Sequence, residues 1–118
     1  MLQTNLTHVL SKQDHSKLLQ ENENVMICCG RMGPMCIPVY EVMEELEGEY
    51  KNVKFADMEF DTSDASVIRN LPECSSFQGL PFVVYYKNGQ VVKATSSNQN
   101  KDQVTAILDE KFNKLAWA

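Results

Sequence analysis

The sequence predicts one α/β domain with a central mixed β-sheet and helices on both of its faces. Short apolar runs alternate with amphipathic segments in the first half of the chain, which is typical of parallel strands joined by crossover helices. Two β-rich runs in the second half flank Lys87-Asn88-Gly89, and Asn-Gly between such runs is the strongest short-range hairpin signal. The predicted order is β-α-β-α-β-α-β-β-α. At 118 residues the chain has the size of one domain, residues 1–118.

The first predicted strands and helix precede Gly30. Thr7 to Leu10 is a strand candidate, and Ser11 with Asp14 forms a capping-box-like start for a short helix that ends near Gln20. The run from Val25 to Cys29 is continuously apolar, which suits a central strand covered on both faces.

The segment after Gly30 has the clearest helical pattern in the chain. Its apolar residues are spaced four, three, four and four apart and form one stripe: Met35, Val39, Val42, Leu46 and Tyr50. Pro34 fits the first turn of a helix, where its missing N–H has no partner to lose. Pro38 would kink the helix if the helix began before Met35.

The second half of the chain supplies the remaining elements. Val53 to Phe60 predicts a third strand, and Thr62 to Asp64 caps a short helix that Pro72 helps to stop. Phe82 to Tyr86 and Gln90 to Ala94 are the strands of the hairpin. Asn100 and Gln103 cap the last helix, whose stripe is Val104, Ile107, Leu108, the Lys111 stem, Phe112 and Leu115.

Composition excludes several function classes. Eleven basic and sixteen acidic residues give a net charge of −5, without the basic patch that a nucleic-acid partner requires. No apolar run approaches the ~20 residues that cross a bilayer, and the N-terminus does not resemble a secretion signal, so we expect no membrane partner. Four cysteines are too few and too unevenly placed for a disulfide scaffold, and we therefore expect a reducing, cytoplasmic location.

The predicted order of elements, together with two short motifs, resembles that of the thioredoxin family. They are Gly33-Pro34-Met35-Cys36, between the second strand and its helix, and Gly79-Leu80-Pro81, before the hairpin. The resemblance runs from about Thr7 to Leu115 and implies a thioredoxin-like fold, thiol–disulfide chemistry of the cell redox homeostasis class, and no cofactor. In the family this proline is cis and faces the redox motif, and the residue before it pairs with substrate backbone. By resemblance, these roles fall to Pro81 and Leu80.

The redox motif of the family, Cys-x-x-Cys, is incomplete in this chain. Spacing from Glu44-Glu45-Leu46 and Glu49-Tyr50, which resemble the pattern of the family's second helix, places the second cysteine on Cys36 and the first on Gly33. The alternative register, Met32 to Met35, contains no cysteine at all. In the preferred register Met32 also replaces the family's tryptophan, and Ile27 replaces its buried acid.

The cysteines are open to four interpretations. Cys36 is a relic packed as a small hydrophobe, or a lone thiol that forms mixed disulfides, or one member of a redox pair with Cys29. A metal or Fe–S site at Cys28, Cys29 and Cys36 is disfavoured because adjacent residues of a strand point to opposite faces. Cys74 is expected to be a surface or half-buried thiol.

Two hypotheses of function follow from the resemblance. In the first, the chain belongs to the thiol–disulfide class and any redox chemistry runs through Cys36, with Gly33, Pro34 and Met35 shaping the loop. Leu80 and Pro81 then present a strand edge to a protein or peptide client, which is held by a mixed disulfide. Glutathione and a thioredoxin reductase are the further partners that this hypothesis implies.

In the second hypothesis the chain is a non-enzymatic interaction module. It holds an extended peptide without covalent chemistry, in the groove beside Leu80-Pro81 that Met32, Met35 and Phe77 also line. We regard His8 and His15 as isolated from any acid or nucleophile of a catalytic site, so we expect structural or solvated roles for both.

Overall fold

The computed structural model describes residues 2–76 and 78–112 and contains a five-stranded mixed sheet. The strand order is β1-β3-β2-β4-β5, in which β1, β3 and β2 are parallel and β4 and β5 are antiparallel to their neighbours. The strands are β1 Thr7–Val9, β2 Asn24–Gly30, β3 Val53–Glu59, β4 Phe82–Lys87 and β5 Gln90–Ser96. The predicted mixed sheet is confirmed. Phe77 and Leu115, which the sequence placed in the groove and in the last helix, lie outside the described residues.

Four α-helices within the described residues complete the predicted order. They are α1 Lys12–Glu21, α2 Ile37–Glu47, the single-turn α3 Ser66–Arg69 and α4 Lys101–Phe112, with 3-10 turns at Ser63–Ala65 and Pro72–Ser76. The side chain of Ser11 accepts a hydrogen bond from the Asp14 amide at 3.0 Å. Asn100 and Gln103 exchange side chain-to-amide hydrogen bonds of 2.8 and 2.9 Å. Two of the three predicted N-terminal caps are therefore present, and each satisfies amides that the helix cannot pair internally. The third is wrong, because Thr62 makes no side-chain capping bond and a 3-10 turn precedes α3.

The start of α2 differs from the predicted one. The helix begins at Ile37, so Pro38 rather than Pro34 occupies its first turn and no kink follows. Met35 precedes the helix and is 50% exposed, and Tyr50 is buried but follows the helix. The buried face is shifted from the predicted stripe and consists of Val39, Tyr40, Met43 and Leu46.

Each face of the sheet carries its own apolar core. All seven residues of β2 are buried, which confirms the predicted central strand. Their side chains alternate, so that Met26 and Cys28 join the core under α2 and α4, whereas Ile27 and Cys29 join the core under α1 and α3. This alternation decides which cysteine lies on the same face as Cys36. None of the helices in the described part of the chain has the length and apolar character that crossing a bilayer requires.

Candidate functional site

The candidate site forms where β2 ends and α2 begins. Cys36 is the N-cap residue of α2, and its side chain points inward, with only 2% of the residue exposed. The amides of Cys36 and Ile37 donate to the Gly33 carbonyl at 3.1 and 3.0 Å, which closes the loop into a tight turn. The Cys36 sulfur accepts a hydrogen bond from the Arg31 amide at 3.4 Å. The sulfur thus lies at the N-terminus of α2 and is held in place by a backbone amide.

Cys36 and Pro81 meet above Gly30. The Leu80–Pro81 peptide bond is cis. A methyl group built on Gly30 would lie 2.8 Å from the Cys36 sulfur, 2.8 Å from the Tyr40 hydroxyl and 3.3 Å from the Pro81 Cβ. Only a residue without a side chain therefore lets the thiol, the phenol and the proline ring converge at this point.

Three solved thioredoxin structures match this architecture over most of their length. That of Plasmodium falciparum thioredoxin is 20% identical, with a TM-score of 0.74 over 90% of this chain and 99% of the other. Chlamydomonas reinhardtii thioredoxin f2 is 16% identical, with a TM-score of 0.73 over 90% and 95%. Saccharomyces cerevisiae mitochondrial thioredoxin 3, in its oxidized form, is 21% identical, with a TM-score of 0.70 over 88% and 94%. The chain has the thioredoxin fold. No protein-family model matches the sequence, and no curated protein matches it significantly.

Position 33 of this thioredoxin fold is an open surface position. A methyl group built on Gly33 would meet no atom within 4 Å. Met32 and Met35 beside it are 42% and 50% exposed, so the loop presents apolar side chains to the outside while its one thiol, that of Cys36, points inward. The structure thus places the predicted loop residues together with Leu80 and Pro81 at one end of the sheet.

A pairing of Cys29 with Cys36, one of the four interpretations of the cysteines, is disfavoured by this geometry. Cys29 lies in the core on the opposite face of the sheet, where burial raises the pKa of its thiol to about 12. Cys28, one residue earlier, points to the same face as Cys36 and joins the same core cluster. All four cysteines are free thiols, and no group of metal-ligating side chains occurs within residues 2–76 and 78–112.

A buried carboxyl group lies on this face of the thioredoxin fold, and the sequence analysis missed it. Asp57 on β3 is only 1% exposed and is the register partner of Cys28. Its carboxylate accepts a hydrogen bond from the Thr4 hydroxyl and contacts His8 Nδ1 at 2.8 Å. His8 is therefore not isolated from acids, because parallel pairing of β1 with β3 brings it to Asp57. His15 is not isolated either, since its Nε2 lies 3.1 Å from the Tyr86 hydroxyl.

Asp57 makes the stability of the fold depend on pH in a predictable direction. Burial raises the pKa of its carboxyl group above the ordinary 3.8, although the bonds from Thr4 and His8 oppose the shift. Between 3.8 and this raised value the folded chain holds a proton that the unfolded chain has released, so the stability that wild type gains over Asp57→Asn should fall as pH rises through that range. Urea unfolding of both proteins between pH about 3.5 and about 7 measures this difference.

The matched control is Asp61, an exposed carboxylate that Arg31 contacts with two nitrogens at 2.7 and 2.8 Å. The hydrogen bond from Arg31 lowers the pKa of Asp61, so the small contribution of this ion pair to the stability of the fold should be lost as pH falls. The stability difference between wild type and Asp57→Asn should therefore change with pH in the opposite direction to that between wild type and Asp61→Asn. A change in the same direction for both would contradict a raised pKa for Asp57.

Proposed function

We propose that this chain acts in thiol–disulfide chemistry through a single cysteine, Cys36, on an extended peptide client held beside Leu80 and Pro81. The observation that carries the proposal is the convergence of the Cys36 sulfur and Pro81 above Gly30. In this arrangement the thiol lies at a helix N-terminus and accepts a hydrogen bond from the amide of Arg31, beside the proline that borders the proposed client groove. The proposed location is the reducing cytoplasm, which the four free thiols fit.

Access to the sulfur follows from the residues of the loop. A methyl group built on Gly33 would meet no atom within 4 Å, so the loop surface at this position is open. The loop that a client must displace, residues 31–35, is mostly exposed and is therefore not anchored in either core. Displacement of this loop would expose the Cys36 thiol to a client disulfide.

Leu80 supplies the proposed contact with the client backbone. The carbonyl of Gly79 already has a partner, because it accepts a hydrogen bond from the Ser97 amide at 3.1 Å. The backbone N–H and carbonyl of Leu80, by contrast, have no backbone partner among residues 2–76 and 78–112. An extended peptide that adds to this edge would satisfy both groups, as in other β-strand additions.

The exposed apolar side chains around the loop favour a second candidate function. Met32, Met35 and Ile37 are all at least 36% exposed, although large apolar residues are more often buried. Methionines of this kind form adaptable binding surfaces. In this alternative the chain is an interaction module that holds a peptide at the same groove, and Cys36 contributes packing alone.

Thiol mapping separates the two functions. Reduced native protein is treated with an aromatic disulfide, and the modified cysteine is located by peptide mass spectrometry. The thiol–disulfide proposal predicts modification of Cys36 in wild type and its loss in Cys36→Ser, with Cys74→Ser as the matched control because Cys74 is the least buried of the four thiols. Modification of Cys74 alone, with peptide binding intact in Cys36→Ser, would contradict the proposal and support the interaction module.

A further inference from the structure

A second thiol lies deeper on the same face of the sheet as Cys36. Cys28 precedes Gly30 by two residues on β2, and both positions point toward α2. The Cys36 sulfur lies where a methyl group on Gly30 would approach to 2.8 Å. Since a strand rises about 3.3 Å per residue, Cys28 is one side-chain position, roughly 6–7 Å, further along the strand.

Polar groups surround Cys28 although it is fully buried. Asp57 is its register partner on β3, and Tyr40 shares its core cluster. Tyr85, from β4, is also completely buried there, and its hydroxyl has no hydrogen-bond partner among the described residues. Most buried hydroxyls are hydrogen-bonded, so an unpartnered phenol beside a thiol needs an explanation. A hydroxyl that stabilises a transient thiolate supplies one.

Asp57 connects this buried cluster to the surface. Its carboxylate is 2.8 Å from His8 Nδ1, and the side chain of His8 is 21% exposed while that of Asp57 is 1% exposed. Burial raises the pKa of the Cys28 thiol, so Cys28 needs a proton acceptor before it can attack a disulfide. A carboxylate facing the thiol, with an imidazole behind it, provides both the acceptor and an exit for the proton.

We propose that Cys28 is the resolving thiol of this site: it attacks the mixed disulfide on Cys36 and releases the client, with Asp57 accepting its proton. This inference rests on the proposed function, because it begins from a client disulfide that has reacted with Cys36. It replaces the Cys29–Cys36 pair with a pair on one face of the sheet. The second thiol of the site thus comes from the strand rather than from the loop.

The reaction balances without any further reagent. The Cys36 thiolate attacks the client disulfide, which forms the Cys36–client bond and expels the first client thiolate. Cys28 then passes its proton to Asp57, and its thiolate attacks the Cys36 sulfur, which forms a Cys28–Cys36 disulfide and expels the second client thiolate. The client disulfide gains two electrons, and the two protein thiols lose two electrons and two protons.

The second step requires Cys36 to move toward β2. A disulfide needs Cβ atoms within about 3.5–4.5 Å of each other. Cys36 is the N-cap of α2, and its carbonyl accepts hydrogen bonds from the Val39 and Tyr40 amides. The shift therefore rotates the Cys36 side chain and moves the exposed loop before it, while the helix and the sheet stay in place. This movement makes the second step slower than the first.

Oxidised glutathione is the probe that separates the two steps. Intact-mass spectrometry follows the gain of one glutathione by reduced, full-length protein and its later loss, and peptide mapping locates the final disulfide. In wild type we expect a mixed disulfide on Cys36 that collapses to Cys28–Cys36. Cys28→Ser should slow the collapse about a hundredfold, because it removes an intramolecular nucleophile.

Cys29→Ser is the matched control, since Cys29 is the adjacent residue on the opposite face, and it should behave as wild type. Cys28→Ala repeats the test without burying a hydroxyl group. Mapping the disulfide of the wild-type protein is a further test that does not depend on whether a variant folds. Asp57→Asn should slow the collapse, because it removes the carboxylate that accepts the Cys28 proton.

A Cys36–glutathione adduct that persists in wild type, or that collapses equally fast in Cys28→Ser, would overturn this inference and leave the proposed function standing. The absence of any adduct on Cys36 would overturn both.

Discussion

Gly33→Cys is expected to turn the protein into an efficient disulfide reductant. The new side chain would point into open space, since a methyl group there meets nothing within 4 Å. The Cys36 and Ile37 amides already donate to the Gly33 carbonyl at 3.1 and 3.0 Å, so the introduced thiol would be held one turn from Cys36 at the start of α2. We expect turnover of a protein disulfide with dithiothreitol to rise on the order of a hundredfold, because a second thiol at this range has a high effective concentration.

Two variants test whether the introduced thiol is responsible. Gly33→Ser places a hydroxyl at the same position and should leave turnover at the wild-type level. Gly33→Cys combined with Cys36→Ser should form mixed disulfides that are no longer released efficiently. Equal turnover by wild type and Gly33→Cys would show that the missing sulfur at position 33 is not what limits the chemistry.

Gly30→Ala is expected to cause the largest loss of stability among the glycine substitutions near the site. The added methyl group would lie 2.8 Å from both the Cys36 sulfur and the Tyr40 hydroxyl, and both residues are buried. Neither side chain can move away without disturbing the core beneath α2, and overpacking of this kind costs about 1–3 kcal/mol. Urea unfolding measures the change, and reactivity of Cys36 should change with it because the sulfur is displaced.

The control is Gly33→Ala, where the same methyl group meets no neighbour and the free energy of unfolding should change by less than about 0.5 kcal/mol. Gly30→Ala combined with Cys36→Ala should recover part of the loss, since the second change removes the sulfur that the methyl group contacts. Equal stability of Gly30→Ala and Gly33→Ala would contradict the convergence of Cys36, Tyr40 and Pro81.

Local patterns in the sequence were sufficient for the architecture. The continuous apolar run at β2 predicted a central strand because no face of that strand meets water. The hairpin followed from Asn88 and Gly89, and both do adopt positive φ, 53° and 79°. The predicted start of α2 was wrong because Pro34 and Pro38 are both compatible with the first turn of a helix, and periodicity alone cannot choose between them.

Those features of the candidate site that depend on contacts between strands could not be predicted from the sequence. Asp57 sits in an apolar run, but its burial against His8 comes from the pairing of β1 with β3. Alternation along β2 already placed Cys28 and Cys29 on opposite faces. It did not tell which of the two faces α2 covers, so the sequence alone permits Cys29 as a partner of Cys36.

The most direct test of the account is a crystal structure of the protein joined by a disulfide to a short extended peptide that carries one cysteine. The account predicts a bond from the peptide to Cys36, with the peptide backbone hydrogen-bonded to the N–H and carbonyl of Leu80. A peptide attached to Cys74, or one attached to Cys36 but lying away from Leu80 and Pro81, would contradict it.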